Sequence, residues 1–220
     1  MGSSRFPGKM MADLNGCPLI QWVLSRCQRA ALVDEVVLAT TEYPRDDALV
    51  DVANALGVAV CRGSENDVLG RFAKAAKLAQ ADVVVRVCGD RPLIDPKWTD
   101  MAIAYYLGNE SVDLAFNHIE DECNQWPRGF GVEVFSADLL YLMDEVKTED
   151  YDREHITPGI WNSSDYSVQP VPCPDELAYP YRLDVDEPKD LERVRQAVAG
   201  GSMYVDAKVV LDSWSAICNS

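Results

Sequence analysis

Three times within the first ninety residues, an amphipathic stretch with helical spacing gives way to a short, continuous apolar run. Leu19, Ile20, Val23, Leu24 and Cys27 share a helical face and precede the run Val36 to Ala39. A second helical segment, Arg45 to Leu56, precedes Val58 to Cys61, and a third, with Val68, Phe72, Ala75, Ala76 and Ala79 on one face, leads into "DVVVRVCGD". Runs that are apolar throughout suit strands covered on both faces, and the helices between them act as crossovers. The pattern predicts an α/β fold: a mostly parallel sheet with helices on both faces. Ligands in such sheets sit beyond the carboxyl ends of the strands, where strand order reverses.

The rhythm continues with a helix over 97–107, a strand at "VDLAF", a loop around "NQWPRGF" and a strand at "GVEVF". Helices are expected over 137–146 and 153–161, strands near Val168 and over 182–185, and a helix after "DEPKDLE". With no repeat or low-complexity linker, residues 1–220 read as one domain with one sizeable core.

A net charge of −16 argues against general attraction to nucleic acid or anionic lipid, so a polyanionic ligand would need a local basic patch. The 7 cysteines are scattered, without a CxxC pair, which predicts reduced thiols and a cytoplasmic protein. No apolar run reaches the length of a membrane span.

Near the start, "GSSRFPGK" combines small residues that let backbone N–H groups approach anionic oxygens with an arginine and a lysine that neutralise them. It is neither a GxxxxGK[ST] loop, since Met10 follows the lysine, nor GxGxxG. Asp90 ends the "VVVRVC" strand, where a carboxylate serves as a turn residue or as a ligand for a hard cation. Asp184 and Asp186 stand before a helix opened by Pro188, and one of them is expected to cap it. A cationic loop facing two strand-end aspartates would form a metal and triphosphate site, because Mg²⁺ takes one or two carboxylates plus phosphates and waters.

The blocks "GSSRFPGKMMADLNGCPLIQWVLSRCQRA", "VVLATTE", "RGSENDVLGRF", "RVCGDRPLIDP", "RGFGVEVF", "YDREHITPGIW" and "RLDVDEPKDLE" resemble, in order and over nearly the whole chain, the cytidylyltransferase family. Within it the chain most resembles the spore-coat-polysaccharide type, related to acylneuraminate and 3-deoxy-manno-octulosonate cytidylyltransferases. The resemblance implies a nucleotide-diphospho-sugar transferase (GT-A-like) fold, and Mg²⁺-dependent transfer of CMP from CTP to an acidic or amino sugar. It assigns Arg5 and Lys9 to the triphosphate, with Ser3 and Ser4 in the same loop, and Asp90 and Asp186 to the metal. Thr40, Thr41, Ser64, Asp67 and Arg71 would lie near cytosine and ribose, and Arg86 near phosphate. Arg128, Glu133, Arg153, Glu154 and His155 would meet the sugar, and the segment 117–161 would also build a homodimer through Trp126, Phe130, Phe135 and Trp161. A binding protein that keeps the fold without turnover, a truncated inactive form, and a nucleotidylyltransferase for another sugar are the competing readings.

The resembling family carries an apolar strand directly before the segment that matches Gly2 to Arg5, and here only Met1 stands there. The expectation is that Met1 is internal to a longer natural chain. Without that strand, its two neighbours would have unpaired edges and the core a slot, leaving the chain poorly soluble or weakly active.

Overall fold

The computed structural model describes residues 2, 5–118 and 125–219. A hairpin of β1 (Asp13–Leu14) and β2 (Cys17–Pro18) turns at Asn15 and Gly16, both with positive φ, and runs straight into α1 (Leu19–Cys27). Asn-Gly tolerates positive φ at two successive positions, which a two-residue hairpin of this hand requires. The expected helix segment therefore begins at Leu19, and the preceding "NG" was its turn signal.

β3 (Val37–Thr41), α2 (Asp47–Ala55) and β4 (Ala59–Gly63) form a parallel βαβ unit, with Val37 opposite Ala59 and Thr41 opposite Gly63. α3 (Val68–Ala79) follows, capped by the Asp67 side chain on the Gly70 N–H, and leads to β5 (Val83–Arg86). α4 (Pro96–Leu107), β6 (Leu114–Phe116), β7 (Glu133–Ser136) and α5 (Ala137–Val146) come next. The segment expected as one helix over 153–161 is two short ones, α6 (Asp150–His155) and α7 (Pro158–Trp161). They are separated at Ile156, which has φ 71°, just before Pro158. β8 (Val168–Pro170), α8 (Pro188–Ala197) and α9 (Ala207–Cys218) complete the chain.

The second sheet has the order β5-β7-β6-β8. β7 runs antiparallel to both β5 and β6, while β6 and β8 are parallel, so the α/β class holds with one reversed strand near its centre. Residues 182–185 do not form the expected strand; Arg182 makes a single parallel bridge to Arg128. Leu183 N–H donates to the Arg128 carbonyl at 3.0 Å, and Arg128 N–H to Tyr181 at 2.9 Å. Gly129, at φ 97°, permits this approach, because a Cβ there would lie 2.5 Å from the Leu183 carbonyl carbon.

Side chains alternate across this sheet. Val85, Ala115 and Val134 face a core built with α1, α4, α8 and α9, whereas Val84, Leu114, Phe116 and Phe135 face one built with α3, α5 and α7. The aromatic residues proposed for a dimer face belong to this interior. Trp126, Phe130 and Phe135 are buried, Trp126 and Phe130 pack at 5.3 and 5.2 Å from Trp98, and the half-buried Trp161 packs at a tilt against Phe116, ring centroids 4.4 Å apart. Their apolar area stabilises the monomer core, which corrects the reading of 117–161 as an aromatic dimer surface.

Among the described residues β3 pairs only with β4, and β5 only with β7. The facing edges of β3 and β5 border a cavity of about 910 Å³, between α3 on one side and α1 and α4 on the other.

At the opposite end of α4 the fold is tied by Arg26, whose buried guanidinium donates to the carbonyls of Ile94 (2.6 Å), Met203 (2.9 Å) and Val205 (2.8 Å). It lies 3.5 Å from Asp95, the N-cap of α4, and the same carboxylate accepts the Ala207 N–H that opens α9.

Candidate active site

The loop after residue 5 closes through Gly8, in the left-handed region at φ 73°, into a short 3₁₀ turn over Lys9–Met11. The turn directs Lys9 inward: its Nζ donates to the Val185 carbonyl at 2.9 Å. It also lies 3.8 Å from Asp90 Oδ2 and 3.6 Å from Asp186 Oδ1, and Arg5, more exposed, lies 3.3 Å from Asp186 Oδ1. Three segments far apart in sequence thus converge on one point at the carboxyl end of β5.

The residues before α8 are arranged differently from expectation. Neither Asp184 nor Asp186 caps the helix. Glu187 is the N-cap, and it forms a reciprocal capping box with Asp190 while Pro188 opens the helix. Asp190 accepts the Asp186 and Glu187 N–H groups at 3.0 and 2.8 Å, which leaves the Asp186 carboxylate clear of the helix end. Arg182 holds both carboxylates, Asp184 Oδ1 at 2.7 Å and Asp186 Oδ2 at 2.8 Å, and Arg128 lies 3.6 Å from Asp184. Arg182 was not anticipated. Its spacing of two and four residues from the aspartates would put all three on one face of an extended segment, and that was the available signal.

Asp90 Oδ1 is buried with no hydrogen-bond partner among the described residues. A buried carboxylate oxygen left unpaired is costly, and a hard cation satisfies it. With Asp186 beside it, the donor set fits Mg²⁺ bound through two carboxylates.

The other expected residues divide. Ser3 and Ser4 lie outside the described residues. Thr40 and Thr41 are buried, and their hydroxyls donate to Asp46 Oδ2 at 2.8 and 2.6 Å, so they fasten the turn from β3 into α2. Asp67 caps α3, while Arg71 folds back on the carbonyls of Ser64 and Glu65, which makes the 64–71 loop self-supporting.

Glu133 is a correction. Expected at the sugar, it is 2% exposed and surrounded by Arg86 Nη1 at 2.6 Å, Thr157 Oγ1 at 3.1 Å, His118 Nε2 at 3.3 Å and Trp161 Nε1 at 3.3 Å. Burial pushes its carboxyl upward, but the adjacent His118 imidazole and the Arg86 charge outweigh it and hold it at about 2. Burial drives the His118 imidazole below its ordinary value, against the pull of Glu133. Arg86, placed near phosphate by the resemblance, is the counter-charge of this buried anion, and its own pKa is raised.

Arg153 is a second correction. It binds Asp67 and Asp144 and donates to the Asp144 carbonyl at 2.9 Å, bolting α6 to the start of α3 and the end of α5. Glu154 and His155 are exposed on the same helix, His155 packing edge-on against Tyr151 at 4.6 Å.

A sheet whose carboxyl end gathers a cationic glycine loop and two loop aspartates defines a nucleotidyltransferase of the nucleotide-diphospho-sugar transferase type. The chain matches the cytidylyltransferase family over residues 1–196, and it belongs to that family. It is 32% identical over 202 residues to the spore coat polysaccharide biosynthesis protein SpsF of Bacillus subtilis, covering 89% of this chain and 81% of that protein. A cytidylyltransferase structure from Leptospira borgpetersenii superposes with a TM-score of 0.88 at 30% identity, covering 100% of this chain and 90% of the other. The fold is shared with CMP:2-keto-3-deoxy-manno-octonic acid synthetase in complex with CTP, at a TM-score of 0.65 and 20% identity over 90% of this chain and 95% of that one.

Proposed function

We propose that this cytidylyltransferase moves CMP from CTP to a hydroxyl of an acidic or amino sugar of the nonulosonic type, releasing pyrophosphate, for a surface polysaccharide. The observation that carries this reading is Lys9 Nζ between Asp90 and Asp186, at 3.8 and 3.6 Å. Asp90 and Asp186 would hold Mg²⁺, which when bound supplies positive charge to phosphate oxygens. In the reaction the sugar oxygen bonds to the α-phosphorus, the bond from that phosphorus to the pyrophosphate oxygen breaks, and the sugar hydroxyl gives up its proton to solvent water. Lys9 and Arg5 stabilise the negative charge that grows on the departing phosphates, which fixed donors do without reorganising. The Asp186 carboxylate keeps both cations in place beforehand, and Arg182 and Arg128 extend the positive rim toward an acidic sugar.

The naming of the Bacillus relative for spore coat polysaccharide supports the glycan setting, and the CTP complex of the structural neighbour supports the nucleotide. The test is a pyrophosphate-release screen of CTP, UTP, GTP and ATP against nonulosonic acids and sugar phosphates. Release with CTP and an acidic sugar is expected; preference for UTP and a hexose phosphate would overturn the reading. The slot lined by Met10, next to Lys9, favours a second reading in which this chain binds CTP without turnover. Equilibrium CTP binding with no pyrophosphate release would select it.

A further inference from the structure

Arg182 lies outside the cationic loop, yet it holds the same carboxylate. Asp186 divides the cations around it: Oδ1 faces Lys9 at 3.6 Å and Arg5 at 3.3 Å, whereas Oδ2 accepts from Arg182 Nη2 at 2.8 Å. Arg182 Nε donates to Asp184 Oδ1 at 2.7 Å, and Arg128 Nη2 stands 3.6 Å from Asp184 Oδ2. The charges run in one alternating row: Arg128, Asp184, Arg182, Asp186, and then the cations of the loop.

The main chain holds this row in place. Arg182 and Arg128 face each other in a parallel bridge, and the Arg182 carbonyl accepts from Arg193 Nη1 at 3.0 Å. Two guanidinium groups brought together in this way repel, and Asp184 between them offsets part of that cost. Nε and Nη2 give one edge of the Arg182 guanidinium to the two aspartates, while the side chain stays 42% exposed. The edge formed by Nη1 with the other Nη2 proton is the one that a further carboxylate can meet in bidentate fashion. A planar fork fixed along one edge is preorganised along the other.

In phosphoryl transfer the attacking and leaving oxygens lie roughly in line through the phosphorus. Arg5 and Lys9 serve the departing pyrophosphate from the Oδ1 side of Asp186, so a group on the Oδ2 side is placed for the attacking sugar. In a nonulosonic acid one carbon carries both the anomeric hydroxyl and the carboxylate. Fixing the carboxylate therefore aims the hydroxyl.

We infer that Arg182 is the residue that selects an acidic sugar, gripping its carboxylate with the outer edge of the guanidinium while Asp184 and Asp186 hold the inner edge. The inference rests on the functional reading above and names the group that recognises its substrate.

The test measures pyrophosphate release from CTP with 3-deoxy-manno-octulosonate and N-acetylneuraminate, each beside its uncharged carboxamide, in the parent chain and in Arg182→Met. The parent is expected to favour the acids. Arg182→Met is expected to lower the ratio of kcat/KM for acid over carboxamide by about tenfold or more, as loss of a charge-assisted hydrogen bond does. A merely structural disturbance of Asp186 slows acid and carboxamide alike and leaves the ratio at the parent's value, which would overturn the proposal. Should Arg182→Met fail to fold, Arg182→Gln is read by the same ratio, with the same two outcomes. Absence of release with either acid in the parent overturns the functional reading and this inference with it. A parent that favours the acids, with an unchanged ratio in the variant, overturns the role of Arg182 alone.

Discussion

The backbone N–H of Val185 donates to the carbonyl of Asp90 at 2.8 Å. The loop after β5 and the loop before α8 are therefore joined next to the carboxylates they carry, and Lys9 closes the same joint by donating to the Val185 carbonyl. The separation of Asp90 and Asp186 is set by main-chain bonds, so a side-chain change at either should alter chemistry more than shape.

Asp90→Asn and Asp186→Asn are each expected to lower Mg²⁺-dependent turnover by roughly 10²-fold or more, as loss of a preorganised electrostatic group does. Circular dichroism should stay unchanged. Asp51→Asn, on the exposed side of α2, is the neutral control. Asp100 is unsuitable for that purpose because its carboxylate accepts the Ala31 and Leu32 N–H groups at 2.9 Å each. Full activity in Asp186→Asn would move the metal role to Asp184.

Lys9→Ala should reduce kcat by on the order of 10²-fold with a smaller change in the KM for CTP, since a lysine acting on growing charge matters most in the transition state. Steady-state kinetics with varied CTP separates the two effects. A raised KM with intact kcat would make Lys9 a ground-state phosphate contact only.

Arg153→Ala should lower stability by about 1–3 kcal/mol, through loss of charge-assisted bonds to Asp67 and Asp144, without changing the KM for the sugar. Urea unfolding and kinetics on one preparation decide it. A raised sugar KM at unchanged stability would return Arg153 to the sugar site.

Glu133 sets a pH dependence. Its folded pKa of about 2 lies below the ordinary 4.5, so its stabilisation is fully present above about 4.5 and disappears as pH falls through about 2. The contribution is on the order of 3 kcal/mol at neutral pH. Glu133→Gln should be destabilised at pH 7, with the gap to the parent narrowing between pH 4.5 and 2. A gap constant over that range would refute the account.

The helices and parallel strands of the first ninety residues were legible because their periodicity is local, as at Val68, Phe72 and Ala76 on α3. Asp90, Asp186 and Lys9 were legible as a group because loops at the carboxyl ends of a wound sheet converge, although the strand expected before Asp186 is only a single bridge at Arg182. The environment of Glu133 was not. "GVEVF" is compatible with an exposed glutamate, and only the pairing of β7 against β5, with Glu133 opposite Arg86, determines that it is buried. The same holds for Arg153, whose partners lie 86 and 9 residues away, and for the aromatic residues at 126, 130 and 135, where sequence alone cannot separate an interior from an interface.

Arg26 and Asp95 give α9 a standing that the family match does not. The family match ends at residue 196, yet the segment that follows supplies the Met203 and Val205 carbonyls to Arg26 and the Ala207 N–H to Asp95, five residues from Asp90. An expression boundary set at the end of the match would strip a buried guanidinium of two acceptors and loosen the cap of α4. Activity lost on such trimming would then report a disturbed foundation under Asp90, and could be mistaken for a substrate contact in the tail.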